Sequence, residues 1–263
     1  MAYNTLLLET NNHITVLSLN QPQTRNALSM EMKEEFHSAI EAVKKINDSK
    51  VLVIEGRGKS FCSGGDLESI YYMFNDTPAR TKNNLIDYYQ SFLSLRELDI
   101  PTIAMVNGYA VGAGFCLALA CDMRIAAADA QLAMSFIKLG LHPGMGASYL
   151  LPRLAGTAIA FELFLTGKTI SGEEAFRLGL VNHVVDAEKL RDFTMDFAAQ
   201  IASNPVIPAR YIKKSVYQNL TSDLNAALDY EASAQSFCAG TEDMKEGLAA
   251  IKEKRTPVFK GAL

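Results

Sequence analysis

Residues Ala110–Asp122, AVGAGFCLALACD, place two glycines around an alanine and then run without a charge until Asp122. Glycine at this density indicates that the backbone turns sharply or comes close to another group. The apolar run that follows is typical of a helix buried on every side. The first backbone N–H groups of such a helix have no partner within it and favour negative charge. The stretch therefore predicts a glycine turn into a buried helix, with free donors where the helix begins.

The residues around this turn raise a second possibility, a membrane span. Thr102–Cys121 carries no charge over about 20 residues, the length that crosses a bilayer. The segment begins with the strand-forming run TIAMV and then contains Asn107 and Gly108. A strand over 102–110, a glycine turn and a buried helix explain it better, and we expect no membrane contact.

A second glycine-bearing segment, SFCSGGD (60–66), follows the apolar run VLVIEG (51–56), which is predicted to be a buried strand. We call it the GGD loop. If N–H groups from both glycine segments converged on one oxygen, they would form an oxyanion hole. Tight turns alone explain the two segments equally well. Nucleotide binding is disfavoured, because GxGxxG would need a glycine at Leu117 and no GK[ST] follows.

The composition of the 263 residues is that of an ordinary globular chain, with 49% hydrophobic and 21% charged residues. The net charge is −4 and the sequence pI is about 5.6, which argues against nucleic acid or an anionic membrane as partner. The four cysteines form no CxxC pair and no zinc-ligand spacing with the four histidines, so we expect no metal. Cys116 and Cys121 have apolar surroundings, and we expect buried thiols there rather than a disulfide. The N-terminal residues lack the pattern of a signal peptide, and the expected compartment is the reducing cytoplasm.

Strand and helix patterns alternate in the first half of the chain, which predicts an α/β core. Ser29 is placed to cap a helix with an apolar face, and Asp66 to cap the helix after the GGD loop. Helical patterns dominate the second half, with one last strand at LVNHVV (180–185). We therefore divide the chain into an α/β core (1–195) and a helical C-terminal region (196–263).

An ordered series of motifs runs along the chain around the two glycine segments. The motifs are LNQPQTRNALS, FCSGGD, IPTIAMVNGYAVGAG, CDMRIAA, LGLHPGMGASYLLPRLAG, LTGKTISGEEAFRLGLVNHVV and EGLAAIKEKRTPVF. In content and order they resemble the enoyl-CoA hydratase/isomerase (crotonase) superfamily. The resemblance implies a crotonase-like spiral of repeated ββα units, a helical C-terminal trimerisation region, and a homotrimer or dimer of trimers. It also implies an acyl thioester of CoA or of acyl carrier protein as substrate, with no cofactor beyond that CoA.

The same resemblance implies which residues hold the thioester. The backbone N–H groups of Ser63 and Ala113 would bind its oxygen as an oxyanion hole and so stabilise an enolate. The residues implied to line the substrate and CoA site are Arg25, Ala27, Leu28, Cys62, Gly64, Gly65, Asp66, Leu67, Gly112, Cys116, Phe136 and Gly144. Lys254, Phe259 and Lys260 would contact the CoA phosphates or adenosine, although a solvated tail explains them equally well.

Three positions at which members of this superfamily carry catalytic acids hold other residues here. Cys116 and Phe136 stand where hydratases have two glutamates, and Gly144 stands where some isomerases have an acid. Burial on an apolar helix would keep the Cys116 thiol protonated, which favours a structural role. Phe136 can neither donate nor accept a proton, and we expect it to seal an apolar pocket. Efficient hydration is therefore disfavoured.

The segment SFIKLGLHPGMGA (135–147) is similar to the corresponding loop of decarboxylases that act in polyketide β-branching. Decarboxylation needs a stabilised enolate and one protonated carbon, and it needs no pair of groups to activate water. The chain departs from this subgroup as well: Gln235 stands at its histidine position, and only Arg80 or Lys82 could replace its lysine. The resemblance predicts decarboxylase or isomerase chemistry on an acyl thioester.

Two further side chains are hypotheses for a proton donor, His142 and Tyr72. His142 could titrate near neutrality, but a lone loop histidine is more often a structural hydrogen-bonder. Tyr72 could reach the acyl group from the helix after the GGD loop, and the alternative is a packing aromatic. The second functional hypothesis is a relative without turnover that binds acyl-CoA or serves as a partner subunit, because backbone donors survive the loss of the acids.

Overall fold

The computed structural model describes residues 3–261 as a mixed α/β structure. Its strands are β1 (Leu6–Asn11), β2 (Ile14–Leu19), β3 (Val51–Gly56), β4 (Ser60–Cys62), β5 (Thr102–Val106), β6 (Tyr109–Val111), β7 (Met123–Ala127), β8 (Gln131–Ala133), β9 (Thr169–Ser171) and β10 (His183–Val185). Its helices are α1 (Met30–Val43), α2 (Leu67–Phe74), α3 (Pro78–Leu93), α4 (Ala113–Ala120), α5 (Ala147–Thr166), α6 (Gly172–Arg177), α7 (Leu190–Ala202), α8 (Val206–Asn219), α9 (Leu224–Ala239) and α10 (Glu242–Glu253). Short 3-10 helices lie at Pro22–Thr24, Ser94–Glu97, Ser135–Leu139 and Ala187–Lys189.

The strands form two sheets, and the chain passes repeatedly from one to the other. The first sheet has six strands in the order β1-β2-β3-β5-β7-β10, and the second has four in the order β4-β6-β8-β9. Each of β3, β5 and β7 is followed at once by a strand of the second sheet, and the pairs β3-β5, β5-β7, β4-β6 and β6-β8 are parallel. The chain returns to the first sheet through α2 and α3 after β4 and through α4 after β6, whereas α5 leads from β8 to its antiparallel neighbour β9. This is the repeated ββα unit expected from the sequence.

The segment Ala110–Asp122 contains the end of β6 and the whole of α4. All eight residues of α4 are buried, because the helix packs against strands of both sheets and against α3 and α5. No face of the helix meets water, which explains why the sequence carries no charge before Asp122. Thr102–Cys121 is thus divided between strands and a buried helix, as predicted.

The structure differs from the predicted elements in three places. β4 lies within what the sequence indicated as a loop after β3, and the predicted strand 102–110 is two strands that belong to different sheets. Gly108 permits the sharp turn between them, because a Cβ atom there would lie 2.1 Å from the Lys59 carbonyl oxygen. No helix was predicted over α5, which contains Pro152 and a non-helical Gly156. Both residues are ordinarily helix breakers.

By length and composition alone α5 could cross a membrane, with a mean hydropathy of 1.2. Its backbone is broken near the middle, because Gly156 has φ 80° and ψ 166°. A continuous helix of about 20 residues is needed to cross a bilayer. Neither half of α5 reaches that length.

The helices after residue 190 do not divide where the sequence suggested. The predicted boundary after residue 195 falls inside α7, and Ala198 and Ala202, which lie beyond it, are buried in the same core as the sheet residues. A boundary after α7 therefore fits the packing better. On the later helices, Ile212, Val216 and Leu224 are exposed in the single chain. Such a surface is compatible with the expected trimer, which stays a prediction.

Asp122, at the end of the opening stretch, joins α8 to the core. Its carboxylate accepts hydrogen bonds from the Thr102 backbone N–H (2.7 Å) and the Tyr217 hydroxyl (2.6 Å), and it pairs with the Lys213 ammonium at 2.9 Å. Lys213 also donates to the Ile100 carbonyl oxygen at 2.9 Å, although its side chain is only 8% exposed. A buried charge is tolerated when it is paired and hydrogen-bonded in this way.

Replacement of the Lys213 cation should therefore destabilise the fold. The variant Lys213→Met keeps the apolar stem but leaves the Asp122 carboxylate without its charged partner, and we expect a loss of about 2 to 3 kcal/mol in the free energy of unfolding. Urea denaturation measures this loss. Lys214→Met, at the exposed neighbouring position, is the matched control and should change stability by less than about 0.5 kcal/mol. Equal effects of the two changes would contradict the role of the Asp122 pair.

Candidate active site

A cavity of about 730 Å³ opens beside the two glycine segments. Its walls come from the GGD loop, the start of α4, helices α2 and α3, and the segment between β8 and α5. Most of the side chains that line it are apolar. They are Ala27, Leu67, Ile70, Met73, Phe74, Leu85, Val111, Ala113, Phe136, Leu139, Leu141 and Pro143.

The two glycine segments touch each other at this cavity. A Cβ atom on Gly64 would lie 2.6 Å from the Val111 carbonyl oxygen, and one on Gly114 would lie 2.3 Å from the Cys62 carbonyl oxygen. Gly64 also has φ +103°, a conformation that other residues rarely adopt. Glycine at both positions is therefore what lets the GGD loop reach the first turn of α4.

This close approach brings two unpaired N–H groups to the same cavity. Ala113 is the first residue of α4, so its N–H has no acceptor within the helix. Gly65, in the GGD loop, also lines the cavity, and its N–H takes part in no hydrogen bond of residues 3–261. Two free donors at one cavity can both donate to an oxygen that carries negative charge.

Ser63, which the sequence analysis named as the second donor, is not free. Its N–H donates to the Arg25 carbonyl oxygen at 3.0 Å, and its hydroxyl donates to the Thr24 carbonyl oxygen at 3.3 Å. The prediction for Ser63 is therefore corrected, because its N–H serves to hold the GGD loop against the segment before α1. The free donor of that loop is Gly65, two residues later.

The neighbours of the GGD loop hold it in place from both sides. The Leu28 N–H donates to the Gly64 carbonyl oxygen at 2.8 Å, and the Tyr88 hydroxyl donates to the Leu28 carbonyl oxygen at 2.5 Å. Asp66 caps α2 through its carboxylate, which accepts from the Ser69 N–H at 2.9 Å, as predicted. Asp66 is the one carboxylate among the described residues that line the cavity, and this cap occupies it.

The two thiols near the glycine segments are buried. Burial raises the pKa of Cys62 to about 12 and also raises the pKa of Cys116 well above its usual range. Cys116 lies one turn into α4, and its thiol contacts the Gly144 carbonyl oxygen at 3.6 Å. Both groups stay protonated at neutral pH, so neither supplies a base. The expectation of buried, unpaired thiols is confirmed for Cys116 and Cys121.

The segment between β8 and α5 brings Phe136, His142 and Gly144 to the cavity. Phe136 packs its ring 3.8 Å from where a Cβ atom on Gly112 would lie. His142 is exposed, and its Nδ1 donates to the Pro143 carbonyl oxygen at 2.7 Å. Of the three positions where the superfamily carries an acid, two thus line the cavity and Cys116 lies behind its wall.

Most of the residues predicted for the site line this cavity. Those that do are Arg25, Ala27, Ser63, Gly64, Gly65, Asp66, Leu67, Gly112, Ala113, Phe136, His142 and Gly144. Leu28, Cys62 and Cys116 are buried behind the wall. Tyr72 does not line the cavity and is 74% exposed, so the structure gives it no contact with a bound acyl group.

The C-terminal residues predicted to contact CoA lie away from the cavity of their own chain. Lys260 donates its backbone N–H to Asp243 at 2.7 Å, and the Phe259 ring lies 3.8 Å from where a Cβ atom on Gly247 would be. Lys254 ends α10 in the left-handed conformation. The tail thus folds against α10. Contact with a CoA bound to a neighbouring subunit stays a prediction.

Tyr89 lines the cavity and was not among the residues predicted for the site. Its helical spacing with Leu85 and Phe92 indicates a helix and carries no sign of another role. In the structure Tyr89 is half-buried and lines the cavity beside Gly144. Within residues 3–261 no group of three or more metal-ligating side chains comes together.

Comparison with known proteins agrees with this architecture. A family model described as enoyl-CoA hydratase/isomerase matches residues 9–262. The crotonyl-CoA hydratase of Syntrophomonas wolfei is 36% identical over 260 residues, which cover 98% of this chain and 99% of the relative. The 1,2-epoxyphenylacetyl-CoA isomerase of Escherichia coli K12 is 35% identical over 253 residues, covering 94% and 95%.

The similarity extends to three dimensions. The crystal structure of an enoyl-CoA hydratase from Bacillus anthracis superposes with a TM-score of 0.92 at 34% identity, covering 98% of this chain and 100% of the other. The crotonase-like spiral expected from the sequence is thereby confirmed. The chain belongs to the enoyl-CoA hydratase/isomerase (crotonase) superfamily.

Proposed function

We propose that the protein binds an acyl thioester of CoA, or of acyl carrier protein, with the thioester oxygen between the N–H groups of Gly65 and Ala113. The observation that supports this placement is that these two N–H groups are unpaired and line one cavity. Two N–H donors polarise the carbonyl group and favour an enolate over the neutral thioester. Because the donors belong to the backbone, they act whatever side chains surround them.

The side chains around these donors decide which enolate reaction follows. Hydration needs a base that activates water for attack on the β-carbon, and isomerisation through an enolate needs a base that removes the α-proton. The Cys116 thiol and the Tyr89 phenol both have raised pKa values, so at neutral pH they are acids. The Asp66 carboxylate caps α2. The thiol and the phenol are thus proton sources, and the one carboxylate among the described lining residues is engaged by the Ser69 N–H and hydroxyl.

Loss of CO₂ forms an enolate without any base. When a carboxylate at the α-carbon leaves as CO₂, the electrons of the broken bond pass into the enolate and onto the thioester oxygen. A mostly apolar wall, whose one carboxylate among the described residues caps α2, disfavours the charged starting group more than the enolate held by two donors. We therefore infer that the protein decarboxylates an acyl thioester. The carboxylate that leaves is attached to the α-carbon, or to the γ-carbon when an α,β double bond connects that carbon to the thioester.

Isomerisation is the second possibility, and one observation favours it. His142 lines the cavity, and its Nδ1 donates to Pro143, which leaves Nε2 as an acceptor. One relative of this chain is a 1,2-epoxyphenylacetyl-CoA isomerase, which is consistent with isomerisation as the second candidate reaction. His142→Gln separates the two reactions, because it should abolish a base-dependent isomerisation and leave decarboxylation unchanged.

The proposed reaction is tested by comparing the turnover of carboxyacyl-CoA substrates with the turnover of an enoyl-CoA substrate. We expect release of CO₂ from malonyl-CoA, methylmalonyl-CoA or glutaconyl-CoA, and little hydration of crotonyl-CoA, measured as loss of enoyl absorbance. Hydration at the rates usual for enzymes, about 1 to 10³ per second, would contradict the proposal. Binding of butyryl-CoA without turnover of any probe would support the alternative of an acyl-CoA-binding relative.

The close approach of the two glycine segments has its own test. In Gly64→Ala the new methyl group would meet the Val111 carbonyl oxygen, so the GGD loop must move away from α4. Decarboxylation should fall about 10² to 10³-fold, as when one oxyanion donor is lost. Gly179→Ala is the control: φ is +73°, but the nearest atom to its Cβ, the Leu154 carbonyl oxygen, is 3.9 Å away. It should cost stability and leave turnover within about twofold. A similar fall in both variants would show that backbone strain alone is responsible.

A further inference from the structure

Tyr89 lies in the space that a side chain on residue 144 would otherwise fill. A Cβ atom on Gly144 would lie 2.3 Å from the Tyr89 hydroxyl oxygen and 2.8 Å from the ring carbon that bears it. The hydroxyl is therefore almost in contact with the Gly144 backbone. Glycine at position 144 is the condition for this, because any larger residue would displace the phenol.

The segment that the Tyr89 hydroxyl contacts lies beside the first turn of α4. The Gly144 carbonyl oxygen is 3.6 Å from the Cys116 thiol, and Cys116 donates its N–H to Gly112 across the first turn of α4. One turn of an α-helix rises about 5.4 Å. Tyr89 thus lines the same cavity as the free N–H group of Ala113 and lies beside the segment that contacts Cys116, one turn into α4.

The Tyr89 phenol is unengaged and protonated. Its hydroxyl takes part in no hydrogen bond of residues 3–261, whereas the ring is held by an edge contact with Tyr88, at 6.3 Å between centroids. Burial and the nearby Cys116 raise the pKa of Tyr89. The folded state therefore favours the neutral phenol, which remains a donor as the pH rises through neutrality. Tyr88 differs, because its hydroxyl already donates to Leu28.

The remaining titratable groups at the cavity are less suited to this task. The Cys116 thiol is fully buried, and its pKa is raised further from neutrality than an acid near the working pH would need. His142 is exposed and tied to its own loop. Arg25 is also exposed and has no proton to give at neutral pH.

We propose that Tyr89 is the catalytic acid that protonates the enolate. This inference rests on the proposed decarboxylation. The bond between the substrate carboxylate and its carbon breaks, CO₂ leaves, and the electron pair becomes the enolate held by Gly65 and Ala113. The Tyr89 O–H bond then breaks, and its proton joins the carbanionic carbon. The phenolate recovers a proton from water at the open side of the cavity, so each cycle consumes one solvent proton.

The variant Tyr89→Phe removes the hydroxyl and retains the ring, so it isolates proton transfer. We expect kcat for CO₂ release from the active carboxyacyl-CoA probe to fall about 10² to 10³-fold, with KM changed by less than about threefold. With methylmalonyl-CoA in deuterated water the wild type should place deuterium on one face of the α-carbon of the propionyl product, and Tyr89→Phe should yield a mixture of both stereoisomers because water replaces the phenol. A purely structural role would not alter the stereochemistry in this way.

Two further variants test whether a loss of activity in Tyr89→Phe comes from its missing hydroxyl group. Gly144→Ala, which keeps the hydroxyl but displaces it, should reproduce the mixed stereochemistry. Tyr72→Phe removes a phenol that is 74% exposed and outside the cavity, and it should behave as wild type. If the wild type releases CO₂ and Tyr89→Phe keeps the wild-type rate and stereochemistry, the role of Tyr89 is overturned and the proposed function still stands. A wild type that decarboxylates none of the probes would overturn the proposed function and, with it, this inference.

Discussion

The structure depends on the contact between two backbone segments that only glycine allows. Gly64 and Gly114 place the GGD loop and the first turn of α4 against carbonyl oxygens at distances that a Cβ atom would forbid. The parallel pairing of β4 with β6 holds the same two segments from behind. The ββα repeat supplies this pairing, because it delivers successive short strands to one edge of the second sheet. Fold and site thus share one constraint.

Around this shared backbone feature, burial determines the chemistry. A cavity walled by apolar side chains holds nearby thiol and phenol groups in their neutral forms, which the raised pKa values of Cys116 and Tyr89 reflect. A superfamily that stabilises enolates with backbone donors can therefore change its reaction by changing which side chains face the substrate carbons. In this chain the one carboxylate among the described lining residues caps α2, and the Tyr89 phenol lines the same cavity. The proposed reaction, which begins without a base, fits these surroundings.

The sequence predicted features that depend on local rules. Ser29 and Asp66 cap helices as their side chains and positions indicated, and α4 is buried as its lack of charge required. Features that depend on distant contacts were missed. Ser63 could not be distinguished from Gly65 as donor, because the partner of Ser63 is a carbonyl group far away in the sequence. Tyr89 was not predicted at the site, since helical spacing does not reveal that the facing residue is Gly144.

The most direct test of the account is a crystal structure with acetyl-CoA, the product expected from malonyl-CoA, bound in the cavity. The account predicts that the thioester oxygen lies about 2.7 to 3.1 Å from the backbone nitrogens of both Gly65 and Ala113. It also predicts that the Tyr89 hydroxyl is the polar group facing the α-carbon. A thioester oxygen held by other groups, or an α-carbon that faces only apolar atoms, would contradict it.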